Sequence, residues 1–83
     1  MNNRELLELT RKISNSYFNR EFKHKIKFNS RLRTTGGRYF LSNHNIDINP
    51  RMLTECDMDT LIGVIKHELC HYHLHLAGKG YQH

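Results

Sequence analysis

The sequence is poor in the residues that mark several classes of protein. It has no tryptophan, one proline and two cysteines, Cys56 and Cys70, in 83 residues. Two cysteines do not indicate a disulfide framework, so we expect free thiols. No apolar run approaches the roughly 18 residues of a membrane span, and the first residues lack the apolar core of a secretory signal. We therefore expect a cytoplasmic, monomeric protein that makes no contact with a membrane.

Positive charge is concentrated in the first part of the chain. Residues 1–51 hold eleven Lys/Arg and four Asp/Glu, a net charge of +7, whereas residues 52–83 hold two and four, a net charge of −2. A basic half is compatible with a solvated surface or with a surface that binds an anionic partner, most plausibly nucleic acid. The candidate nucleic-acid-binding residues flank a Thr-Thr-Gly-Gly segment and are Arg31, Arg33 and Arg38.

The order of hydrophobic patterns predicts an α+β fold in one small domain, residues 1–83. Apolar residues recur at helical spacing from about residue 3 to residue 20. Three short strands are then predicted: alternating segments at residues 26–32 and 46–48, and the segment 38–41, which follows a turn signal. The Gly36-Gly37 pair indicates a turn, which would make the basic segment the tip of a hairpin.

A second helix is predicted to begin near Thr54. The segment Thr54–Asp57 resembles a capping box with aspartate in the place of the usual glutamate. The core-facing stripe of this helix is predicted to contain Met58, Leu61, Ile62, Ile65, Leu69 and Tyr72. Gly78 and Gly80 are expected to end the helix, because glycine accepts the left-handed conformation of a helix terminus.

The second helix carries the sequence His-Glu-Leu-Cys-His at residues 67–71, an HExxH motif. Residues four apart share one face of a helix, so His67 and His71 can direct both imidazoles at one metal ion. Glu68 is then close enough to act on a water molecule beside that ion. Two imidazoles and such a carboxylate form the working core of a zinc hydrolase. The motif therefore predicts zinc-dependent hydrolysis, with Glu68 as the catalytic residue.

A catalytic zinc usually has three protein ligands, so the motif must be completed by another residue. His75 is excluded, because a helix places it roughly 12 Å from His67 along the axis. The position of a third histidine in the metzincin pattern is Ala77. His83 is the better candidate, since the segment 78–80 can turn the chain back toward the helix.

With these features, the chain resembles the N-terminal part of an SprT-like (Spartan-type) metallopeptidase domain. The resemblance covers most of the 83 residues, and it is specific in three places: the Gly-Gly segment, the Ile-Asp-Ile-Asn-Pro sequence at residues 46–50, and HExxH followed by a glycine-containing connector. It implies a minimal zincin-like fold with zinc bound by His67, His71 and His83, and with Glu68 as acid and base.

The resemblance also implies a substrate class. Family members with known roles act on proteins attached to DNA or near it, which would give the basic half a function. Related chains continue beyond the third histidine, whereas this one stops at His83. We therefore expect a domain truncated at its C-terminus, with weak metal binding and activity that requires a longer chain.

Two other functional classes remain open. One is a non-catalytic nucleic-acid-binding module, and the other is a protein-interaction domain that retains a zincin fold. Glu68 argues against a purely structural metal site, because such a site has no use for the carboxylate. Metalloendopeptidase activity on a protein or peptide substrate is the function that we expect.

Overall fold

The computed structural model describes residues 1–78. It is an α+β fold in which an N-terminal helix precedes a three-stranded sheet and a long helix follows it. No helix in this described part of the chain is long and apolar enough to cross a membrane. The elements are α1 (Asn3–Ile13), a π-helical turn (Ser14–Phe18), β1 (Ile26–Phe28), β2 (Gly37–Tyr39), β3 (Ile46–Ile48), α2 (Arg51–Thr54) and α3 (Met58–Leu76).

The first helix begins at a capping box and changes its winding before it ends. The Asn2 side chain accepts from the backbone N–H of Glu5, and the Glu5 carboxylate accepts from the N–H of Asn2. These bonds satisfy two of the amide groups that every helix start leaves unpaired. The predicted helix over residues 3–20 is α-helical only to Ile13. The π-helical turn follows it, and Asn19, the residue after that turn, has a left-handed backbone conformation.

The sheet has the order β1-β3-β2, with β1 parallel to β3 and β2 antiparallel to it. The predicted hairpin between the first two strands is therefore wrong, because these strands do not pair. Both lie beside β3, and the chain reverses through residues 40–45 instead. The third strand is central in this sheet, and β2 forms one of its edges.

The strand bounds are shorter than predicted for two of the three strands. β1 ends at Phe28 rather than near residue 32, and β2 spans Gly37–Tyr39 rather than residues 38–41. The third strand matches its prediction. All three residues of β3 are buried, which fits its central position in the sheet.

The long helix begins later than predicted. Thr54 is the last residue of α2, a single turn that follows Pro50, and the N-cap of α3 is Asp57. The Asp57 carboxylate accepts a 2.8 Å bond from the backbone N–H of Thr60. Hydrogen bonding with the Thr60 side chain, and then with its backbone, lowers the pKa of Asp57. The predicted cap at Thr54 is thus wrong, and Met58, predicted in the core stripe, is 50% exposed.

The core lies between the sheet and the two longer helices. The rest of the predicted stripe on α3 packs inward, and Gly78 ends the helix region with a φ of +70°. Gly80 lies outside the described residues. The buried apolar residues are Leu6, Ile13, Phe22, Ile26, Tyr39, Ile46, Ile48, Leu61, Ile65, Leu69 and Tyr72.

Strand β2 packs on α3 through Gly37, which has no side chain to hold the two elements apart. A Cβ atom at Gly37 would lie 2.9 Å from Val64 Cγ1, 3.1 Å from Glu68 Cγ and 3.2 Å from Ile48 Cδ1. The first distance is shorter than real Cβ contacts allow. Glycine is therefore required here by close approach, and it places the strand directly against the HExxH turn of the helix.

The C-terminal half of α3 is fixed by a cluster of histidines and tyrosines. The Tyr39 hydroxyl bonds to Nδ1 of His75 at 2.6 Å and to Nδ1 of His44 at 2.8 Å. The Tyr72 hydroxyl accepts from the Lys23 backbone N–H and bonds to Nδ1 of His24 at 2.6 Å. The rings of His24 and His44 have centroids 5.0 Å apart. This His–Tyr cluster ties the helix to β2 and to the loops that flank β1 and β3.

We predict that Gly37→Ala destabilises the protein while Gly63→Ala, its control, stabilises it. Overpacking at Gly37 is expected to lower the free energy of unfolding by about 1–3 kcal/mol. Gly63 lies within α3 and has no atom within 4 Å of an added Cβ, so alanine there is expected to add roughly 0.5–1 kcal/mol. Urea unfolding of both variants measures the difference. Equal effects would contradict the steric role of Gly37.

We also predict that His24 makes stability fall at acid pH. Burial and the nearby His44 lower the pKa of His24 below its ordinary value of 6.5. Between the lowered pKa of the folded protein and the ordinary value of 6.5 in the unfolded chain, His24 binds more protons in the unfolded chain. The contribution of His24 to the free energy of unfolding is therefore full above pH 6.5 and is lost as the pH falls through the pKa of the folded protein.

His24→Asn keeps a polar group near the Tyr72 hydroxyl but does not titrate in this range. Its free energy of unfolding is expected to vary less between pH 7.5 and 5 (roughly the range in which histidine titrates) than that of the wild type. Chemical denaturation across this range, with an NMR titration of the His24 ring, provides the measurement. An unchanged pH dependence in the variant would show that His24 does not contribute.

Candidate metal centre and cleft

His67 and His71 lie one turn apart on α3 and turn their rings toward each other. Their Nε2 atoms are 3.2 Å apart and the ring planes are perpendicular. Two nitrogens bound to one tetrahedral zinc at about 2.0–2.1 Å would lie about 3.3 Å apart. The pair therefore has the separation that one zinc ion requires. This separation fits the predicted role of His67 and His71, and metal binding by the pair stays a prediction.

Glu68 lies in the same turn and is almost enclosed, with 7% of its surface exposed. Burial raises the pKa of its carboxyl group above the ordinary value of 4.5, and the adjacent His67 acts in the opposite direction. Strand β2 contributes to this burial, because a Cβ atom at Gly37 would lie only 3.1 Å from Glu68 Cγ. A carboxylate in such a position accepts a proton more readily than one in water.

An open cleft of 540 Å³ runs between α3 and the loop that leads into β2. Its floor contains both histidines of the motif and Glu68. The opposite wall is formed by backbone and side chains from Thr35 to Tyr39. This wall of the cleft was not predicted from the sequence. The signal available in the sequence was the Gly-Gly pair. It was interpreted as a turn, whereas in the structure glycine is needed there for close packing on the helix.

The ladder between β2 and β3 determines which backbone groups of β2 face the cleft side. Two residue pairs are joined by backbone bonds: Asn49 N–H donates to Gly36 C=O, and Phe40 N–H donates to Asn45 C=O. The pair of Arg38 and Asp47 lies midway between them in the register. Antiparallel ladders alternate bonded and non-bonded pairs. Gly37 and Tyr39 therefore direct their N–H and C=O groups away from β3, along the outer edge of the sheet.

The other histidines of α3 have different partners. His73 is buried, and its Nε2 atom lies 2.8 Å from the Ser14 hydroxyl. Burial and, secondarily, Arg20 lower the pKa of His73. His75 bonds to Tyr39 within the His–Tyr cluster, as described above. Cys70, inside the motif, is exposed as a free thiol.

The predicted third ligand, His83, lies outside the described residues. Within residues 1–78, no group of three or more His, Cys, Asp or Glu side chains is arranged to hold a metal ion. This part of the chain therefore supplies a two-histidine site, and completion by His83 stays a prediction.

The basic residues proposed from the sequence lie in two settings. Arg31 and Arg33 are exposed in the connection between β1 and β2. Arg38 is on the solvent side of β2, where its guanidinium lies 5.1 Å from the centre of the Phe40 ring. Lys27 and Arg38 both pair in register with the buried Asp47, so they lie on either side of it in the sheet.

Comparisons with known proteins agree on one family. The SprT-like family model matches residues 6–83. Among curated relatives, the chain is 63% identical to Protein SprT-like of Lactiplantibacillus plantarum, 59% to that of Bacillus subtilis and 58% to that of Staphylococcus epidermidis. Each match covers the whole chain and 55–56% of the relative, so the chain spans about half the length of these proteins. No solved structure matches the chain significantly.

The family match includes the whole HExxH helix and the strand that packs against it. It also extends over residues 79–83, beyond the described part of the chain, and so includes the predicted third ligand. From the extent of this match and the identity of the relatives, the chain belongs to the SprT-like family.

Proposed function

We propose that this chain carries the catalytic centre of a zinc-dependent metalloendopeptidase. The observation that carries the proposal is the pair of Nε2 atoms 3.2 Å apart with an enclosed glutamate in the same helical turn. A surface cluster of histidines would not require a buried carboxylate beside it. The open cleft and the strand edge next to these groups suit an extended peptide better than a small enclosed ligand.

The residues present fit zinc as the metal. His67 and His71 offer neutral nitrogen donors at the right separation, and His83 is proposed as the third. When bound, zinc would act as a Lewis acid and lower the pKa of a water molecule toward neutrality. Imidazole donors and an incomplete protein ligand set are typical of catalytic rather than structural zinc.

Glu68 is proposed as the proton carrier of the reaction. Its raised pKa suits it to accept a proton from the attacking water and to deliver that proton to the leaving amine. The enclosure by Gly37 keeps the side chain in one place, so the carboxylate does not have to be ordered during the reaction. An exposed glutamate on the opposite face of the helix would have neither property.

The edge of β2 is proposed to align the substrate. Gly37 directs its backbone N–H and C=O outward beside the cleft, and a peptide in extended conformation can pair with such groups as an added strand. This arrangement would hold the scissile bond over the HExxH turn. It would also favour unstructured segments, because a folded substrate cannot offer a free strand.

Proteins bound to DNA are the substrate class that we propose. The basic half of the chain supports this class, and Arg31, Arg33 and Arg38 are proposed contacts to nucleic acid. The alternative functions, a nucleic-acid-binding module or an interaction domain without catalysis, share the same surface. They differ from the proposal in making no use of Glu68.

We predict that the protein binds one zinc ion per chain and that the affinity depends on the motif histidines. His67→Ala is expected to weaken binding by at least about 100-fold, since loss of a ligand should exceed the 10–100-fold cost of losing an outer partner. His83→Ala is expected to weaken it to a similar degree. Titration of the metal-stripped protein measures stoichiometry and affinity.

His24→Asn serves as the control for this titration, because His24 belongs to the His–Tyr cluster and not to the cleft. It should leave zinc affinity unchanged. If His83→Ala matched this control while His67→Ala did not, another residue would be the third ligand. If all three variants bound as the wild type does, the proposed metal centre would be wrong.

We predict that Glu68→Gln abolishes peptide cleavage and leaves the fold intact. The amide has nearly the shape of the carboxylate but cannot accept the proton, so the rate should fall by about 10²–10⁴-fold. Cleavage of fluorescein-labelled casein is measured with the zinc-loaded protein extended to the full length of its SprT-like relatives. Zinc titration and DNA binding by fluorescence anisotropy are expected to be the same as in the wild type.

Glu55→Gln is the matched control, because Glu55 forms an exposed ion pair with Arg51 at 2.6 Å and does not line the cleft. It should cleave at the wild-type rate. Cleavage that survived Glu68→Gln would remove Glu68 from the mechanism. DNA binding without any cleavage, in the wild type and both variants, would favour the non-catalytic module.

A further inference from the structure

The threonine that precedes the Gly-Gly pair bonds to the edge of β2 beside the cleft. The Thr35 hydroxyl donates to the Gly37 C=O and accepts from the Gly37 N–H, the latter at 3.2 Å. These are the two groups that the ladder register directs away from β3. One side chain therefore occupies both backbone positions that an added strand would use at this residue.

The backbone on either side of this contact is held independently. The buried Asn49 side chain donates to the Thr35 C=O at 3.2 Å and to the Leu32 C=O at 3.1 Å, and its backbone N–H donates to Gly36 C=O at 2.8 Å. Thr35 itself is exposed. Its hydroxyl can thus leave Gly37 by rotation about χ1 alone, and water is available to pair with it after that rotation.

We infer that the Thr35 hydroxyl is a latch on the substrate edge, released when a peptide strand pairs with Gly37. This inference rests on the proposed function, because it assigns the edge of β2 to an extended polypeptide. In the free protein the latch satisfies Gly37 and protects the edge. To pair with Gly37, a peptide must replace the two bonds that Thr35 makes to Gly37 with two bonds of its own. The Thr35 hydroxyl therefore lowers the affinity of the protein for every peptide strand by the same factor.

Pairing of a peptide at Gly37 gains little by itself, since it replaces bonds that already exist. Thr35 is therefore a positioning residue whose two bonds any added strand must replace. It also covers exposed strand groups that could otherwise pair with another chain.

Thr35→Val tests the inference, because it keeps the branched shape and removes the hydroxyl. The free protein then leaves the Gly37 groups without their partner, whereas the complex with a peptide satisfies them as before. We expect fluorescein-labelled casein to bind about three- to tenfold more tightly, the range that one or two net hydrogen bonds give. Anisotropy is measured in the Glu68→Gln background, so that binding is separated from cleavage.

Two further readouts distinguish a latch from an ordinary structural contact. Thr35→Val should exchange the Gly37 amide hydrogen faster and should unfold at a slightly lower denaturant concentration. Thr35→Ser retains the hydroxyl and is expected to resemble the wild type in affinity and exchange. Lower stability combined with tighter binding is the expected signature, since a structural contact alone would not strengthen binding.

Other outcomes overturn the inference. Unchanged or weaker casein binding by Thr35→Val would show that the hydroxyl does not compete with the peptide. Unchanged exchange at Gly37 would show that it does not protect the edge. If casein bound to neither the wild type nor the variant, strand docking at this edge would be wrong, although cleavage by the wild type would leave the protease proposal standing.

Failure of the proposed function gives a different pattern. Casein would then bind more tightly to Thr35→Val, as expected, but the zinc-loaded wild type would cleave nothing. In that case the edge would be a polypeptide-binding site without catalysis. The two sets of measurements therefore separate the latch from the chemistry of Glu68.

Discussion

The close approach of β2 to α3 at Gly37 is the constraint on which the candidate site depends. With no side chain at this position, Val64 and the stem of Glu68 contact the strand directly. That contact encloses the carboxylate and raises its pKa. It also brings the edge of β2 beside the cleft that the two histidines line. One missing Cβ atom thus links Glu68, the cleft and the outer edge of β2.

The relative position of the two motif histidines depends on the periodicity of α3 alone. A spacing of four residues is sufficient to bring His67 and His71 together, so this part of the site could be predicted from the sequence. The third strand and the buried stripe of α3 could be predicted for the same reason, because local patterns determine them. The family resemblance of the motifs also agreed with the comparisons.

What could not be predicted was set by contacts between distant parts of the chain. Alternation in the first strand indicates a half-buried strand but not its partner, so parallel pairing of β1 with β3 was missed. Gly36-Gly37 was interpreted as a turn, although its main role is packing. Thr54 and Asp57 are both residue types that cap helices. Thr54 belongs to α2, the short helix after Pro50, so Asp57 caps α3. His–Tyr pairs far apart in sequence leave no local pattern.

The sheet order has a consequence for how the chain acquires its structure. β2 and β3 are joined by residues 40–45 alone and can pair by closing a short loop. β1 can pair with β3 only by closing a longer loop, which contains the whole of β2. Closing the longer loop costs more chain entropy, and non-local pairing slows folding. We expect the hairpin of β2 and β3 to form early and β1 to dock on it later. The edge that faces the cleft would then be assembled before the opposite side of the sheet is complete.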